Sequence, residues 1–364
     1  MTCHFQVRSL LIFCCLSCTA ASLAVADSPS APAEPPRPTF LISHWSFPKD
    51  PALLKQFAEA GFNTVIATPE ELAACRQHGW QALLAAPLDQ ARPLAADKMV
   101  WGYFLFDEPA RKKVPYGDLA ERMHQFHELD SARPAYINLN ELDDPEEFIR
   151  QLRPRVLSYD YYQWWAGQEP FFPLLEKFRR AAQGARIPLL FWVEGVAVPH
   201  GPAPADNQAR VRHSVYSALA YGVKGIQWWG WRPDNQDAAT INAELKVLGP
   251  ELTQLRSVDI FHTPPLPAQT RPIPPDAWVR TSIPSLLLGL LKNDQGQDFI
   301  LLANRNWREP TTASLTFTRP VASVSILDRK GGAWKEAVLK QDNGATLVHR
   351  LSPGDGELLR LNWR

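Results

Sequence analysis

Two acidic residues stand where a reaction could use them. Glu108 follows the apolar run Val100–Asp107 (VWGYFLFD), and Glu194 follows another, 187–193 (IPLLFWV). A third acid, Asp160, closes the run 156–161 (VLSYDY), and Asp107 lies directly before Glu108. One carboxyl group held protonated and a second held ionised form the pair needed to break a glycosidic bond: the first protonates the leaving oxygen, the second attacks the anomeric carbon. Retention of configuration requires a separation of about 5–5.5 Å. An aspartate beside Glu108 would raise the glutamate's pKa, as a proton donor requires.

These acids need a scaffold that carries the ends of several strands to one place. Eight apolar, strand-length runs recur from residue 39 onward: 39–45, 63–68, 80–86, 100–107, 135–139, 156–161, 187–193 and 225–231. Near-continuous apolar character is what strands buried on both faces look like in a parallel sheet. Helical patterns separate them. Leu53, Leu54, Phe57 and Ala58 share one face; Leu119, Met123, Phe126 and Leu129 share a second; Phe171, Leu174, Leu175, Phe178 and Ala182 share a third. Eight strand–helix units in about 190 residues predict an α/β fold, a (β/α)8 barrel of the triosephosphate isomerase type. An open doubly wound sheet is the alternative, but 44–48 (HWSFP) is no glycine-rich nucleotide turn.

In such a barrel reactive groups project from the C-terminal strand ends. Those ends supply His44, Trp45, Asp107, Glu108, Asn138, Asn140, Asp160, Tyr161, Tyr162, Glu194, Trp228, Trp229 and Trp231. Glu108 and Glu194 would face each other across the mouth. Asp107, Asn138, Asn140 and Asp160 suit sugar hydroxyls, and Tyr161 or Tyr162 could orient a nucleophile. Thirteen tryptophans exceed ordinary core filling, and sugar rings stack their C–H faces on such side chains. Alternation sends one of Trp228 and Trp229 inward and the other toward the helices. Each residue also has a plainer reading. Glu108-Pro109 could start a helix, Glu194 could be a paired loop residue, and the asparagines could form turns.

The motif Gly102-Tyr103-Phe104-Leu105-Phe106-Asp107-Glu108-Pro109 resembles the large clan of retaining glycoside hydrolases built on this barrel. The resemblance spans roughly residues 39–256. It implies an acid/base glutamate at the end of strand four (Glu108) and a nucleophile at the end of strand seven (Glu194). Asp107 departs from the clan, which commonly places asparagine there to hold the sugar 2-hydroxyl. Many such hydrolases also carry a trailing β-sandwich.

The rest of the chain frames this unit. Residues 1–26 read as a secretory leader, with Arg8, an apolar run from Leu10 to Val25 and a small-x-small site at Ala24-Val25-Ala26. Secretion or a periplasmic location follows, with no membrane attachment after cleavage. Four of the five cysteines fall in the leader, so only Cys75 remains beyond it and no disulfide joins the mature chain. Residues 27–38 form a Pro- and Ala-rich linker. The barrel is assigned to 39–262 and a small all-β sandwich to 263–364, where short runs alternate with turn signals such as Lys330-Gly331-Gly332.

A formal net charge of zero favours neither nucleic acid nor an anionic surface. No His-x-His follows the first strand, no Gly-x-Ser-x-Gly elbow appears, and 196–206 lacks a glycine-rich phosphate cradle. No cofactor or metal is implied. The expected partner is an oligo- or polysaccharide, cleaved by a two-glutamate retaining mechanism. The rival readings are a non-catalytic carbohydrate-binding barrel, an inverting or substrate-assisted hydrolase using Asp107/Glu108 with Asp160, and an adhesion protein working through its sandwich.

Overall fold

The computed structural model describes residues 40–197, 202–233, 236–341 and 344–364. The leader and the linker read from the sequence lie outside the described residues, which begin at Phe40. Each of the eight apolar runs forms a strand: β1 (Leu41–His44), β2 (Thr64–Ala67), β3 (Gln81–Leu84), β4 (Val100–Asp107), β5 (Ala135–Leu139), β6 (Leu157–Asp160), β7 (Leu189–Glu194) and β8 (Gly225–Trp229). They pair in parallel in sequence order, and β8 returns to β1 to close the barrel. The (β/α)8 expectation is therefore met.

The helices form where the periodicity placed them. The helix Phe171–Ala185 buries Phe171, Leu174, Leu175, Phe178 and Ala182. The helix Tyr116–Leu129 buries Leu119, Met123 and Phe126. Pro145–Leu152 starts at proline after Asp144, whose carboxylate accepts from the Glu146 and Glu147 amides and satisfies donors that the first turn leaves orphaned. Outward strand residues such as Phe191, Val193 and Ile226 pack on this helix layer. Inward ones, including Leu41, Leu83, Tyr136 and Leu190, fill the barrel itself.

The barrel's last helix, Gln236–Thr253, leads straight into β9 (Arg256–His262), which pairs antiparallel with β11 and so belongs to the C-terminal sheets. The sequence placed 256–262 with the barrel, because no proline or glycine marks the boundary. Further strands are β10 (Val279–Arg280), β11 (Leu286–Lys292), β12 (Asp298–Asn304), β13 (Thr311–Phe317), β14 (Val321–Leu327), β15 (Trp334–Glu336), β16 (Leu339–Lys340), β17 (Thr346–Leu351) and β18 (Gly356–Trp363). They make a six-stranded sheet, β15-β14-β18-β12-β11-β9, and a four-stranded one, β10-β13-β17-β16. Side chains from both sheets, such as Leu288, Ile300, Leu315 and Leu347, share one core.

The six-stranded sheet is buried on both faces. Leu287, Leu301, Ala303 and Leu358 turn away from the sandwich core and join the core of the barrel's helix layer. That double burial explains why β11 (LLLGLLK) is apolar at nearly every position instead of alternating. Gly289 marks one close approach: a Cβ there would lie 2.1 Å from the carbonyl oxygen of Ala220, at the end of the helix Asn207–Ala220. A charged cluster clasps the same junction. Arg212 and Arg329 share Glu244 and Asp355, with contacts of 2.6 to 3.3 Å, and the Tyr216 hydroxyl donates to Glu244 at 2.6 Å.

Barrel and sandwich should accordingly unfold together. Gly289→Ala would force the sheet off the helix and cost about 2 kcal/mol or more. Calorimetry should show one transition at lowered temperature; two separated transitions in the wild-type chain would contradict the shared core.

Candidate active site

The barrel mouth is organised by a ladder of polar side chains rising along the inner wall. Tyr136 on β5, Ser158 on β6 and Gln227 on β8 sit deepest, fully buried, and interlock by hydrogen bonds of 2.6 to 3.1 Å. Trp192 on β7 donates its indole N–H to the Tyr136 hydroxyl at 2.7 Å. One layer higher, the Asn138 carbonyl accepts from the Ser158 hydroxyl at 3.0 Å. This fixes the amide's orientation, because its NH2 must then face upward. That NH2 donates to Asp160 Oδ1 at 2.7 Å and reaches Asp107 Oδ1 at 3.3 Å. Asn138 thus ties together two carboxylates from the flanking strands.

Glu108 stands beside this pair in a strained backbone. Its φ is +49°, a left-handed value that a residue with a Cβ rarely adopts. No helix begins at Glu108-Pro109; the next one starts at Tyr116. The turn is held by the Glu108 amide, which donates to the Asn138 carbonyl at 2.8 Å, and by Asp143. Asp143, almost wholly buried, accepts from the Ala110 amide, the Asn140 amide and the Tyr116 hydroxyl, and so joins the loop after β4 to the loop after β5. Within the turn, Arg111 Nε lies 3.2 Å from Glu108 Oε1, and its Nη2 donates to Glu141 at 2.8 Å. Lys112 pairs with Asp107 at 2.8 Å.

Electrostatics couples these groups. Burial raises the Glu108 pKa; the Arg111 charge pulls it back, and the Asp107 charge pushes it up again. The nearby Asn140 amide also favours the charged form, without closing a full hydrogen bond. Asp160 is only 3% exposed and is driven well above the usual carboxylate range, first by burial and then by the charges of Glu108, Asp107 and Glu141. Burial, and then the charges of Asp160, Glu194, Glu108 and Asp107, raise the Tyr162 phenol far above its ordinary value.

Glu194 occupies a different part of the mouth. It is completely buried, and Oε1 accepts from the Trp164 amide at 2.9 Å, on the short helix Gln163–Ala166 after β6. Oε2 has no partner among the described residues. Burial pushes its pKa up to about 8.

The aromatic residues divide by strand parity. Trp45 meets Phe104, Trp192 and Trp229 edge-to-face at 5.3 to 5.6 Å; Trp229 is 37% exposed, so Trp45 and Trp229 line the opening above the buried Trp192. Trp228 points the other way into the helix layer and is fully buried. His44 and Trp231 also pack outward, against Phe57 and Phe62. Tyr161 is buried and donates to the Gly167 carbonyl at 2.7 Å. The structure therefore brings together Asp107, Glu108, Asn138, Asn140, Asp160 and Tyr162, with Trp45 and Trp229 above the barrel interior. It sets His44, Tyr161, Trp228 and Trp231 apart. Arg111, Asp143, Ser158 and Gln227 were not singled out from the sequence. A serine or glutamine inside an apolar strand was the available signal for two of them.

No protein-family model and no curated protein matches the sequence. Among solved structures the chain is similar to α-L-fucosidase isoenzyme 2 from Paenibacillus thiaminolyticus, at a TM-score of 0.62 and 7% identity over 90% of this chain and all of that one (100%). It is also similar to a β-L-arabinopyranosidase from Geobacillus stearothermophilus in complex with arabinose, at a TM-score of 0.55 and 10% identity over 90% of this chain and 97% of that one. At such identities the likeness is one of fold.

A buried acid whose folded pKa is raised weakens the fold as pH rises. Below about pH 4.5 Glu194 is protonated in both folded and unfolded chains; between there and about pH 8 only the unfolded chain ionises. Stability is lost across that window at up to about 1.4 kcal/mol per pH unit. Glu194→Gln should therefore match the wild type at pH 4 and exceed it at pH 7 by on the order of 3 kcal/mol in denaturant unfolding. A difference that does not vary with pH would contradict this.

Proposed function

We propose that the chain hydrolyses O-glycosidic bonds of an oligo- or polysaccharide at the barrel mouth, using Glu108 and Asp160 as its pair of carboxyl groups. The observation that carries the reading is their electrostatic coupling. Both acids have raised pKa, and Asp160 on β6 feels the charge of Glu108 just beyond β4; Asn138 binds Asp160 through its side-chain amide and the Glu108 backbone N–H through its own backbone carbonyl, at the strand ends where barrels of this type bind substrate. An acid driven toward its neutral form beside a carboxylate that has a cationic partner supplies both the acid and the ionised group that glycoside cleavage needs. Trp229 and Trp45 offer aromatic surface for a sugar ring, and Asp107, Asn138 and Asn140 offer hydroxyl ligands. The solved glycosidases that share the fold are consistent with this chemistry. Export from the cytoplasm, by way of the leader at residues 1–26, belongs to the same proposal.

A second reading keeps Glu194 as the second carboxylate. It is favoured by the unpartnered Oε2 of a buried acid at the end of β7, since a group left in that condition costs stability that function could justify. In that reading the short helix carrying Trp164 must open to expose the carboxyl group.

A screen of polysaccharides and aryl glycosides identifies the substrate. On its natural, unactivated linkage, Glu108→Gln and Asp160→Asn should each lower turnover by roughly a thousandfold or more with the fold intact by circular dichroism. Glu194→Gln should leave turnover within about tenfold of the wild type. A collapse in Glu194→Gln together with activity in Asp160→Asn would transfer the role to Glu194, and full activity in Glu108→Gln would refute the site.

A further inference from the structure

We infer that Arg111 divides the labour between the two carboxyl groups: Asp160 delivers the proton to the leaving oxygen, and Glu108 meets the substrate ionised. The inference rests on the proposed reading of the mouth as a glycosidase site, and it reverses the order suggested by the sequence, in which Asp107 keeps its neighbour Glu108 protonated.

The argument begins with which charges each acid faces. Glu108 has a cation of its own. Arg111 Nε is 3.2 Å from Oε1, and the guanidinium is held in place from its other side by Glu141, which takes Nη2 with both oxygens at 2.8 and 3.1 Å. Lys112 adds a weaker contribution while it neutralises Asp107 at 2.8 Å, so the nearest negative neighbour of Glu108 is itself compensated. The Glu108 side chain is also 19% exposed, which lets water share its charge.

Asp160 has none of these supports. It is 3% exposed, and its hydrogen-bond donor is the neutral Asn138 amide at 2.7 Å. Around it stand Glu108, Asp107 and Glu141, all negative when ionised, and the Tyr162 phenol feels its charge. Arg111 does feel Asp160, but behind Glu108 and Glu141. Burial and like charge both favour a neutral Asp160, while an adjacent guanidinium favours an ionised Glu108. The causes agree: burial and like charge raise Asp160 with only the Asn138 amide opposing, whereas the Arg111 and Lys112 charges and the Asn140 amide oppose the rise at Glu108.

The step then balances as follows. The Asp160 proton passes to the glycosidic oxygen as the C–O bond breaks, and the electron pair of that bond leaves with the alcohol. The new bond to the anomeric carbon comes from a Glu108 oxygen, or from a water whose proton Glu108 takes. Arg111 touches neither reacting atom in this scheme. It is a positioning residue that acts through Glu108.

Leaving-group dependence separates the two roles, because a fluoride or dinitrophenolate departs without protonation. With activated substrates of the sugar found in the screen, Asp160→Asn should stay within about tenfold of the wild type, yet lose roughly a thousandfold on natural linkages. Glu108→Gln should lose on both. The opposite pattern overturns the inference while leaving the site intact, whereas wild-type rates in both variants on every substrate refute the site itself. The role of Arg111 is read from the acidic limb of the kcat/KM profile, which reports the group that must be ionised. Arg111→Met should move that limb upward by about one pH unit or more, and Arg111→Lys should restore most of the shift. An unmoved limb in Arg111→Met, or an equal shift in both variants, overturns that role.

Discussion

Closing eight parallel strands into one ring decides the direction of every second side chain, and the chemistry of this molecule depends on that constraint. Because β5 and β6 stand next to each other with Asn138 opposite Ser158, Tyr136, Asn138, Ser158 and Asp160 all face the axis. The result is a column in which each polar group orients the one above it. Tyr136 and Gln227 hold Ser158, Ser158 turns Asn138, and Asn138 presents its amide protons to Asp160 and Asp107. A buried polar network fixes geometry as far as its members are satisfied, and in this column Gln227 Nε2 is the donor left without a partner among the described residues. Here it delivers a nearly buried acid to the mouth with a donor on one oxygen and negative charge all round.

The loop after β4 supplies the counterpart. Its left-handed Glu108, its tether to Asp143 and its two cations form a non-helical turn. Strain of this kind persists only where surrounding contacts over-determine it, and it concentrates at working sites. The fully buried Glu194 adds a further cost. The extensive shared core between barrel and sandwich provides the stability against which such costs are carried, without any disulfide among the described residues.

Much of the architecture was legible because parallel strands buried on both faces leave continuous apolar runs, and helices leave three-and-four spacing. The same logic failed at β9, whose outer half is polar and whose start follows a helix without a break. Parity could be stated for Trp228 and Trp229 but not resolved, since it depends on which strand faces which. The acids at the strand ends were visible, and so was the choice between Glu194 and Asp160. Charge environment was not. That Arg111 turns back onto Glu108, or that Trp164 caps Glu194 with its backbone amide, follows from loop conformations that spacing does not encode.

The central claim is that Glu108 and Asp160 meet over one glycosidic oxygen. A crystal structure of the Glu108→Gln variant, soaked with an oligosaccharide that the wild type cleaves, tests it directly. The account predicts a scissile oxygen within hydrogen-bond reach of Asp160, about 3 Å, with residue 108 on the far side of the anomeric carbon and the two side chains roughly 5 to 10 Å apart. A sugar bound intact with its scissile bond beside Glu194, or at a surface away from the mouth, would contradict it.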